Sequence, residues 1–301
     1  MKKVILDVDP GIDDAMALAL AFKSEKLDIL GITTVAGNLP LETTTQNAAN
    51  VLDVLEGKCK VYKGSEKPLE KHLRTAEHIH GPTGLGYLEL PEIKENIAQQ
   101  DAVTFMAEQI NRYPGEITII AVAPLTNIAK LFKDYPKIDE KIAEIIIMGG
   151  AVDVKGNVTE QAEFNIYADP EAANIVFSGK CGKTLVGLDV TLKVLLTAKE
   201  LDEISCIKNK VSDAVEKMTR FYLDKYENVN KLAGCALHDP LAVGVAIQPD
   251  IVKTTPMYLE VVEQEGENRG KVLKKAQGEI IKVCKGVDSD KFLRYYIEAL
   301  K

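Results

Sequence analysis

Short runs of β-branched and other apolar residues alternate along this chain with longer segments of helical periodicity, and this alternation restricts the possible folds more than any other feature. Short apolar runs between helices are typical of strands that are buried on both faces. The predicted strands are Val4–Val8, Leu30–Val35, Ile117–Val122, Glu144–Met148, Thr184–Leu188 and Met257–Val262. The predicted helices are Asp13–Lys23, Thr43–Glu56, Asp101–Arg112, Pro124–Phe132, Pro170–Phe177, Lys208–Tyr226, Cys235–Ile247 and Asp290–Leu300.

This order of strands and helices predicts an α/β protein with a Rossmann-like, mostly parallel central sheet flanked by helices on both faces. No linker rich in proline, glycine or serine, no low-complexity tract and no internal repeat divides the sequence. We therefore expect residues 1–301 to form a single domain. In such folds ligands bind beyond the carboxyl ends of the strands, so the residues that follow each apolar run are the candidates for a functional site.

Four aspartates follow the first predicted strand, in the segment Asp7-Val-Asp9-Pro-Gly-Ile-Asp13-Asp14. Capping explains Asp13 or Asp14, because the start of a helix favours negative charge. Capping does not explain four crowded carboxylates, whose mutual repulsion is costly unless a cation neutralises it. Carboxylate oxygens without nearby cysteine or paired histidine favour Ca²⁺ or Mg²⁺ over zinc. The segment therefore predicts a site for a hard divalent cation.

Further candidate residues stand where other predicted strands end or just before a predicted helix. Each has an ordinary explanation when taken alone, because asparagine and threonine are common in turns and helix caps and a buried histidine is more often structural than catalytic. The candidates are Asn38, Thr126, Asn127, Met148, Asn157, Glu163, Asn165, His238 and Asp239, with His78 and His80 in a glycine-flanked loop. The His-x-His pair is only a weak zinc signal, because no cysteine or third histidine stands nearby.

The balance of charges narrows the range of partners. With 37 basic and 45 acidic side chains the net charge is −8, which argues against binding duplex nucleic acid and against docking on an anionic membrane. The longest apolar run, Ala15–Phe22, is too short to span a bilayer. Five scattered cysteines without a CxxC pair favour reduced thiols. We therefore expect a cytoplasmic protein that has neither nucleic acid nor membrane as a partner.

Six motifs, in the same order, resemble those of the nucleoside hydrolase family, most closely the inosine-uridine-preferring ribohydrolases. The most specific is the N-terminal DxDPGxDD signature, which Asp7–Asp14 matches. The other five are Ile32-Thr-Thr-Val-Ala-Gly-Asn38, Pro124-Leu-Thr-Asn-Ile128, Met148-Gly-Gly150, Glu163-Phe-Asn165 with Asp169-Pro-Glu-Ala172, and His238-Asp-Pro240. The resemblance covers nearly the whole chain and implies the nucleoside hydrolase fold.

By this resemblance the protein hydrolyses the N-glycosidic bond of ribonucleosides, giving ribose and free base, with Ca²⁺ as the cofactor. The implied metal ligands are Asp9, Asp14, Asp239 and the backbone carbonyl of Thr126. Because Ca²⁺ acidifies water less strongly than zinc, a carboxylate base is still needed for the metal-bound water, and we expect Asp9 to be that base. The reaction passes through an oxocarbenium-like ribose, which nearby carboxylates would stabilise.

The resemblance also implies which residues hold the nucleoside. The ribose would be bound by Asp13, Asn38, Asn157, Glu163 and Asn165, with Met148 near the sugar. His80, Tyr226 and His238 would lie by the base, and His238 is implied as the proton donor to the leaving base. The chain has no tryptophan for indole stacking, which favours a broad or pyrimidine-tolerant ribohydrolase. Family members are commonly homotetramers, sometimes dimers, so a homo-oligomer acting in nucleoside salvage is expected.

Two alternatives stay open at the level of the sequence. A haloacid-dehalogenase-like phosphatase also has a strand-end DxD, which Asp7-Val-Asp9 fits, but Pro-Gly follows where Gly-Thr is expected. A non-catalytic nucleoside-binding protein would keep the pocket without its chemistry. The intact Asp9, Asp14 and His238 argue against that second alternative.

Overall fold

The computed structural model describes residues 1–225 and 233–301. Its strands are β1 (Lys2–Val8), β2 (Leu27–Thr34), β3 (Val61–Lys63), β4 (Ile117–Ala121), β5 (Glu144–Met148), β6 (Gly182–Val186), β7 (Leu195–Leu196), β8 (Cys235–Ala236), β9 (Val252–Val261), β10 (Val272–Lys275) and β11 (Ile280–Val287). Its helices are α1 (Ile12–Lys23), α2 (Leu41–Val54), α3 (Glu77–His80), α4 (Ala102–Arg112), α5 (Thr126–Asp134), α6 (Phe164–Ala168), α7 (Pro170–Phe177), α8 (Leu188–Thr191), α9 (Ala198–Ser205), α10 (Lys210–Lys225), α11 (His238–Ile247) and α12 (Ser289–Ala299).

Nine of these strands form one sheet in the order β10-β9-β11-β6-β5-β4-β1-β2-β3. Every pairing from β11–β6 through to β2–β3 is parallel. In contrast, β9 runs antiparallel to both β10 and β11. The sheet is therefore mostly parallel with one antiparallel edge, which confirms the predicted α/β class with helices flanking a central sheet.

Alternate residues of the central strands pack on opposite faces of the sheet. In β1, Val4 and Leu6 belong to one buried apolar cluster, whereas Ile5 belongs to the other. In β5, Ile146 belongs to the first of these clusters and Ile145 belongs to the second. Helices α1, α2, α10, α11 and α12 contribute to the first cluster, and α4, α5 and α7 contribute to the second. Burial on both faces explains why these strands are continuous apolar runs in the sequence.

Most predicted elements are present with shifted ends, and β5 and α7 have the predicted bounds. The helix predicted over Cys235–Ile247 is wrong in its first part, because β8 pairs there with β7 and α11 begins only at His238. Pro240 suits the first turn of α11, where its missing N–H costs nothing. The helix predicted from Pro124 begins instead at Thr126. This shift makes Thr126 the first residue of α5.

Several elements are absent from the prediction, among them β3, β10 and β11 and the short helices α3, α6 and α8. In β11, Lys282 is exposed between buried Ile281 and Val283, so the strand is not a continuous apolar run.

Among the helices of residues 1–225 and 233–301, none combines the length and apolar character that a bilayer span requires. All five cysteines are free thiols. The expectation of one domain over residues 1–301 stays a prediction.

Candidate active site

A cavity of about 470 Å³ opens where β1, β2, β4 and β5 end side by side. This is the position at which α/β sheets bind ligands, and the volume is in the range of small-molecule sites. The predicted site residues that line the cavity are Asp13, Asn38, His80, Met148, Asn157, Glu163, Asn165, His238 and Asp239. Asp9, Asp14 and Thr126 are buried but do not line it. Tyr226 lies outside the described residues.

The aspartate-rich segment after β1 is held together by one of its own carboxylates. Asp14 accepts hydrogen bonds from the backbone N–H groups of Asp9 (2.9 Å) and Gly11 (3.1 Å), so the capping explanation is correct for this residue. Gly11 leaves room for the ring of His80, since a Cβ at this position would lie 2.6 Å from its Nδ1. The neighbouring Asp13 does not have this role, because its Oδ1 is buried without a hydrogen-bond partner.

Asp9 is fully buried just beyond the end of β1. Its Oδ2 accepts the backbone N–H of Asn38 at 2.6 Å, whereas its Oδ1 is buried without a hydrogen-bond partner. Gly37 is required by this contact, because a Cβ there would lie 2.0 Å from Asp9 Oδ2. The side chain of Asn38 donates to Asp14 at 3.1 Å and so ties the segment after β2 to the start of α1.

Asp13, Asp14 and Asp239 each place a carboxylate oxygen within 4.8 Å of the others, a group that could hold a metal ion. Two of the predicted ligands, Asp14 and Asp239, belong to this group, with Asp13 in place of Asp9. Asp9 is nevertheless close, because its charge is among those that raise the pKa of Asp239. Aspartates from the two ends of the chain therefore converge at one place.

Burial and the repulsion of neighbouring carboxylates raise the pKa values of Asp9, Asp14 and Asp239. Burial, followed by the charge of Asp14, holds the pKa of Asp9 well above its ordinary value. Burial, followed by the charge of Asp13, raises the pKa of Asp14 to about 7. The described residues that line the cavity include neither lysine nor arginine to offset this repulsion. Ca²⁺ or Mg²⁺ would do so, and both ions prefer carboxylate oxygens.

Glu163 shapes the part of the cavity beside the end of β5. Its carboxylate accepts backbone N–H groups from Gly150 (2.8 Å), Asn165 (2.9 Å) and Ile166 (3.1 Å). Burial is the main cause of the raised pKa of Glu163, and these hydrogen bonds partly oppose it. The glutamate is therefore locked in one orientation while it lines the cavity.

Two asparagines of the same region are also fixed by backbone contacts. The Asn165 side chain donates to the carbonyl oxygens of Val122 (2.9 Å) and Met148 (3.2 Å), which follow β4 and end β5. Asn157 accepts the backbone N–H of Phe164 at 2.9 Å. These contacts bring residues from separate segments to the same cavity in a defined arrangement.

Three histidines line the cavity, His78, His80 and His238, and burial lowers the pKa values of His80 and His238. Nδ1 of His80 accepts the backbone N–H of Ile12 at 3.1 Å, so the ring hydrogen is on Nε2. The same Nδ1 lies 3.9 Å from Asp13 Oδ1, but a neutral ring that accepts at Nδ1 makes no ion pair there. Nδ1 of His238 lies 2.8 Å from the hydroxyl of Thr191.

Sequence reasoning missed Tyr222, which lies on α10 and lines the cavity. Its ring centroid is 5.8 Å from that of His80. A buried tyrosine on an amphipathic helix has the pattern of an ordinary core residue, which is why it was not singled out. The available signal was its spacing of four residues from Tyr226, which is about one turn in the helix predicted over Lys208–Tyr226.

Asp7 is held inside the sheet. Its Oδ1 accepts hydrogen bonds from the hydroxyl of Thr33 (2.6 Å) and the side chain of Asn127 (2.8 Å), and the residue does not line the cavity. The phosphatase alternative needs a nucleophile in the Asp7-Val-Asp9 motif that faces the substrate. The position of Asp7 gives that alternative no support.

A sequence model of the family described as inosine-uridine preferring nucleoside hydrolase matches residues 4–294. Uridine nucleosidase 1 of Arabidopsis thaliana is 38% identical to this chain over 252 residues, which are 83% of this chain and 75% of that protein. The pyrimidine-specific ribonucleoside hydrolase RihB of Escherichia coli is 38% identical over 273 residues, which are 90% of this chain and 87% of that protein.

Solved structures agree with these relatives. The plant nucleoside hydrolase PpNRh1 aligns with a TM-score of 0.95 at 34% identity, over 99% of this chain and 98% of that one. The purine-preferring ribonucleoside hydrolase from Gardnerella vaginalis aligns with a TM-score of 0.95 at 36% identity, over the same shares. The predicted fold and the predicted resemblance are both confirmed. The chain therefore belongs to the inosine-uridine preferring nucleoside hydrolase family, whose members are enzymes that hydrolyse the N-glycosidic bond of ribonucleosides.

Proposed function

We propose that this chain is a Ca²⁺-dependent ribonucleoside hydrolase, which uses water to cleave the bond between ribose and a pyrimidine or purine base. The observation that carries the proposal is the group of buried aspartates, Asp9, Asp13, Asp14 and Asp239, at a cavity of small-molecule size. Carboxylates in this arrangement suit a hard divalent cation, and they also suit the positive charge that develops on ribose during glycosidic cleavage.

Asp9, Asp14, Asp239 and the backbone carbonyl of Thr126 would hold the cation. The donor set fits Ca²⁺, because every side-chain ligand is a buried carboxylate and Asp9 Oδ1 has no hydrogen-bond partner. A buried carboxylate oxygen without a partner is costly, and a cation removes that cost. When bound, Ca²⁺ would lower the pKa of the attacking water and neutralise the repulsion among the carboxylates.

Asp9 would be the general base that removes a proton from the attacking water. The Asn38 N–H donates to Oδ2 and so fixes the orientation of the carboxylate beside the cation site. A carboxylate beside the bound water would take its proton while the cation lowers the pKa of that water. Asp13 and Glu163, which line the cavity, would stabilise the positive charge on the sugar.

His238 would deliver a proton to the leaving base. It lines the cavity, and the Thr191 hydroxyl beside its Nδ1 holds the ring in place. In the protonated ring, Nδ1–H would donate to the Thr191 hydroxyl and Nε2–H would be the proton that passes to the base, which leaves a neutral imidazole. The base gains electrons as the glycosidic bond breaks, so a donor at this place would stabilise it as it leaves. His80 and Tyr226 would complete the surroundings of the base.

The ribose would be held by Asp13, Asn38, Asn157, Glu163 and Asn165, with Met148 against the sugar, and all of these line the cavity. A site built to bond hydroxyl groups rejects an analogue that lacks one, because buried polar groups of the protein then stay unpaired. We therefore propose strong discrimination against 2′-deoxyribonucleosides.

For the base, we propose a range of accepted nucleobases and not a single preferred one. The relatives are named for uridine, for pyrimidines or for purines. The chain has no tryptophan, so a broad or pyrimidine-tolerant specificity is proposed here. We further propose that residues 1–301 act as one domain in a homotetramer or homodimer, in the cytoplasm and in nucleoside salvage, with no nucleic acid and no membrane as a partner.

The test incubates the protein with uridine, inosine, 2′-deoxyuridine and p-nitrophenyl phosphate, each in calcium or in EDTA. We expect free base from a ribonucleoside, little from the deoxy analogue, loss of activity in EDTA and recovery with calcium. Phosphate release, or nucleoside binding without release of base, would contradict the proposed reaction. Full activity after removal of all divalent ions would contradict the calcium dependence.

A further inference from the structure

The start of α5 is held by two buried carboxylates that lie outside the proposed metal and ribose sites. Thr126 and Asn127, the first two residues of the helix, are buried, and each side chain bonds to an aspartate from a different part of the chain. Thr126 donates to Asp169, and Asn127 donates to Asp7. Neither aspartate lines the cavity.

The Thr126 hydroxyl donates to Asp169 Oδ2 at 2.7 Å. The same oxygen accepts the backbone N–H of Leu69 at 2.9 Å, and Oδ1 accepts the backbone N–H of Ala172 at 3.0 Å at the start of α7. Asp169 is fully buried and is bonded to three separate segments. The threonine side chain is therefore anchored to an acceptor that has little freedom to turn.

The side chain of Asn127, on the other side of the peptide group that follows Thr126, is also fixed by hydrogen bonds. Its side-chain nitrogen donates to Asp7 Oδ1 (2.8 Å) and to the carbonyl of Thr34 (2.9 Å), and its side-chain oxygen accepts the backbone N–H of Ser65 (2.8 Å). The peptide group between Thr126 and Asn127 contains the Thr126 carbonyl. Because both flanking side chains are anchored, that peptide plane has little freedom to rotate.

We infer that Asp169, acting through the Thr126 hydroxyl, is a positioning residue for the cation site. The inference rests on the proposed function, in which the Thr126 carbonyl is a metal ligand. Without the hydroxyl, the carbonyl and all the carboxylates stay chemically intact, but one anchor of the peptide plane is lost. Loss of a partner that orients a metal ligand typically weakens metal binding by about 10–100-fold.

The test compares Thr126→Val, which keeps the shape of the side chain without its hydroxyl, with Thr126→Ser, which keeps the hydroxyl. Calcium affinity is measured by isothermal titration calorimetry on full-length protein stripped of metal, and the melting temperature in EDTA reports on folding. We expect Thr126→Val to weaken calcium binding by about 10-fold or more, and Thr126→Ser to weaken it much less. Asp169→Asn should give an intermediate loss, because an amide oxygen is a weaker acceptor than a carboxylate.

Equal calcium affinity in the wild type and Thr126→Val would overturn the inference. Equal losses in the valine and serine variants would also overturn it, because packing and not the hydrogen bond would then be responsible. If Thr126→Val does not fold, Thr126→Ala is compared with Thr126→Ser by the same criteria. A wild-type protein that binds no calcium would instead overturn the proposed metal dependence, so the two failures are distinguishable.

Discussion

Two regions of the cavity are built in different ways. The metal floor consists of Asp9, Asp13, Asp14 and Asp239, and the base wall consists of His80, Tyr222 and His238. In the floor, Asp9 and Asp14 are oriented by backbone N–H groups at the ends of strands. The base wall comes from the helices α3, α10 and α11, and α11 also carries Asp239 of the metal floor. Near α10, Tyr87 is 56% exposed and packs edge-on against Phe221, with ring centroids 5.0 Å apart.

The difference suggests how one fold can keep its chemistry while the base preference varies. Backbone N–H groups of the segments that follow β1 and β2 fix Asp9 and Asp14, so a change in the metal floor should affect every substrate alike. The base wall depends on side-chain packing between helices, which tolerates substitution more easily. Changes in the base wall should therefore alter the choice among bases and leave cation binding intact.

Asp9→Asn is expected to have the largest effect. Asparagine keeps an acceptor for the Asn38 N–H and nearly the same volume, but it cannot act as the base. We expect kcat to fall by at least ~10²-fold for every ribonucleoside at saturating calcium. The control Asp250→Asn removes the same charge from an exposed position and should keep the wild-type kcat. Near-normal turnover by Asp9→Asn would remove this residue from the role of base.

His238→Ala tests the base wall. We expect kcat for uridine and inosine to fall by roughly 10²-fold, because the leaving base no longer receives a proton. The nitrophenolate of p-nitrophenyl riboside leaves as a stable anion, so its release should stay close to the wild-type rate. Equal losses on the nucleosides and on the nitrophenyl riboside would contradict the role of His238 as the acid.

Gly37→Ala tests the metal floor without changing any charge. The added Cβ would lie 2.0 Å from Asp9 Oδ2, so the carboxylate must move. We expect the free energy of unfolding to fall by about 1–3 kcal/mol, together with weaker calcium binding. The matched control is Gly286→Ala, whose Cβ would meet its nearest atom at 3.5 Å. Unchanged calcium affinity in Gly37→Ala would show that the floor is less rigid than proposed.

Tyr222→Leu tests whether the base wall can change the base preference without changing cation binding at the metal floor. The side chain lines the cavity beside His80, so its loss removes contacts to the base and leaves the aspartates untouched. We expect the ratio of kcat/KM for uridine and inosine to change by about 3–10-fold, with calcium affinity unchanged. A uniform loss for all nucleosides, or weaker calcium binding, would contradict the division between floor and wall.

The smallest expected effect is the pH dependence of stabilisation by calcium. The pKa of Asp14, raised to about 7 by burial and by the charge of Asp13, exceeds its unfolded value of about 3.9. Without calcium this carboxyl stabilises the fold below about pH 4, and that contribution is lost as the pH rises through about 7. Calcium needs the ionised form, so the gain in Tm on adding calcium should be larger near pH 8 than near pH 5. An equal or opposite trend would contradict this linkage.

The fold could be read from the sequence where one local pattern decides the structure. Ile145–Met148 is an apolar run because both faces of β5 are covered, and the predicted bounds of the strand, Glu144–Met148, are the observed ones. The convergence of Asp14 and Asp239 was implied by the resemblance to the nucleoside hydrolase family and not by the rule for parallel strand ends, because Asp239 follows β8 of the small antiparallel sheet. Strand pairing between segments that are distant in the chain could not be predicted from such local patterns. Cys235–Ala236 looks helical, and only its contact with β7 makes it a strand.

The residues that support the site, Asp169 and Tyr222, could not be predicted from the sequence either. Asp169 belongs to a recognised motif, but nothing in the sequence indicates that it holds Thr126, 43 residues away. Tyr222 looks like a core residue because burial is common to packing and to binding. Hydrogen-bond partners far apart in the chain are fixed by the fold as a whole, so only the structure identifies them.

The most direct measurement is a crystal structure of the calcium-loaded protein, with anomalous scattering to identify the ion. We predict one calcium ion at the metal floor, bound by Asp9, Asp14, Asp239 and the Thr126 carbonyl. A floor without an ion at saturating calcium, or these carboxylates turned away from one another, would contradict the proposal that they share a single cation.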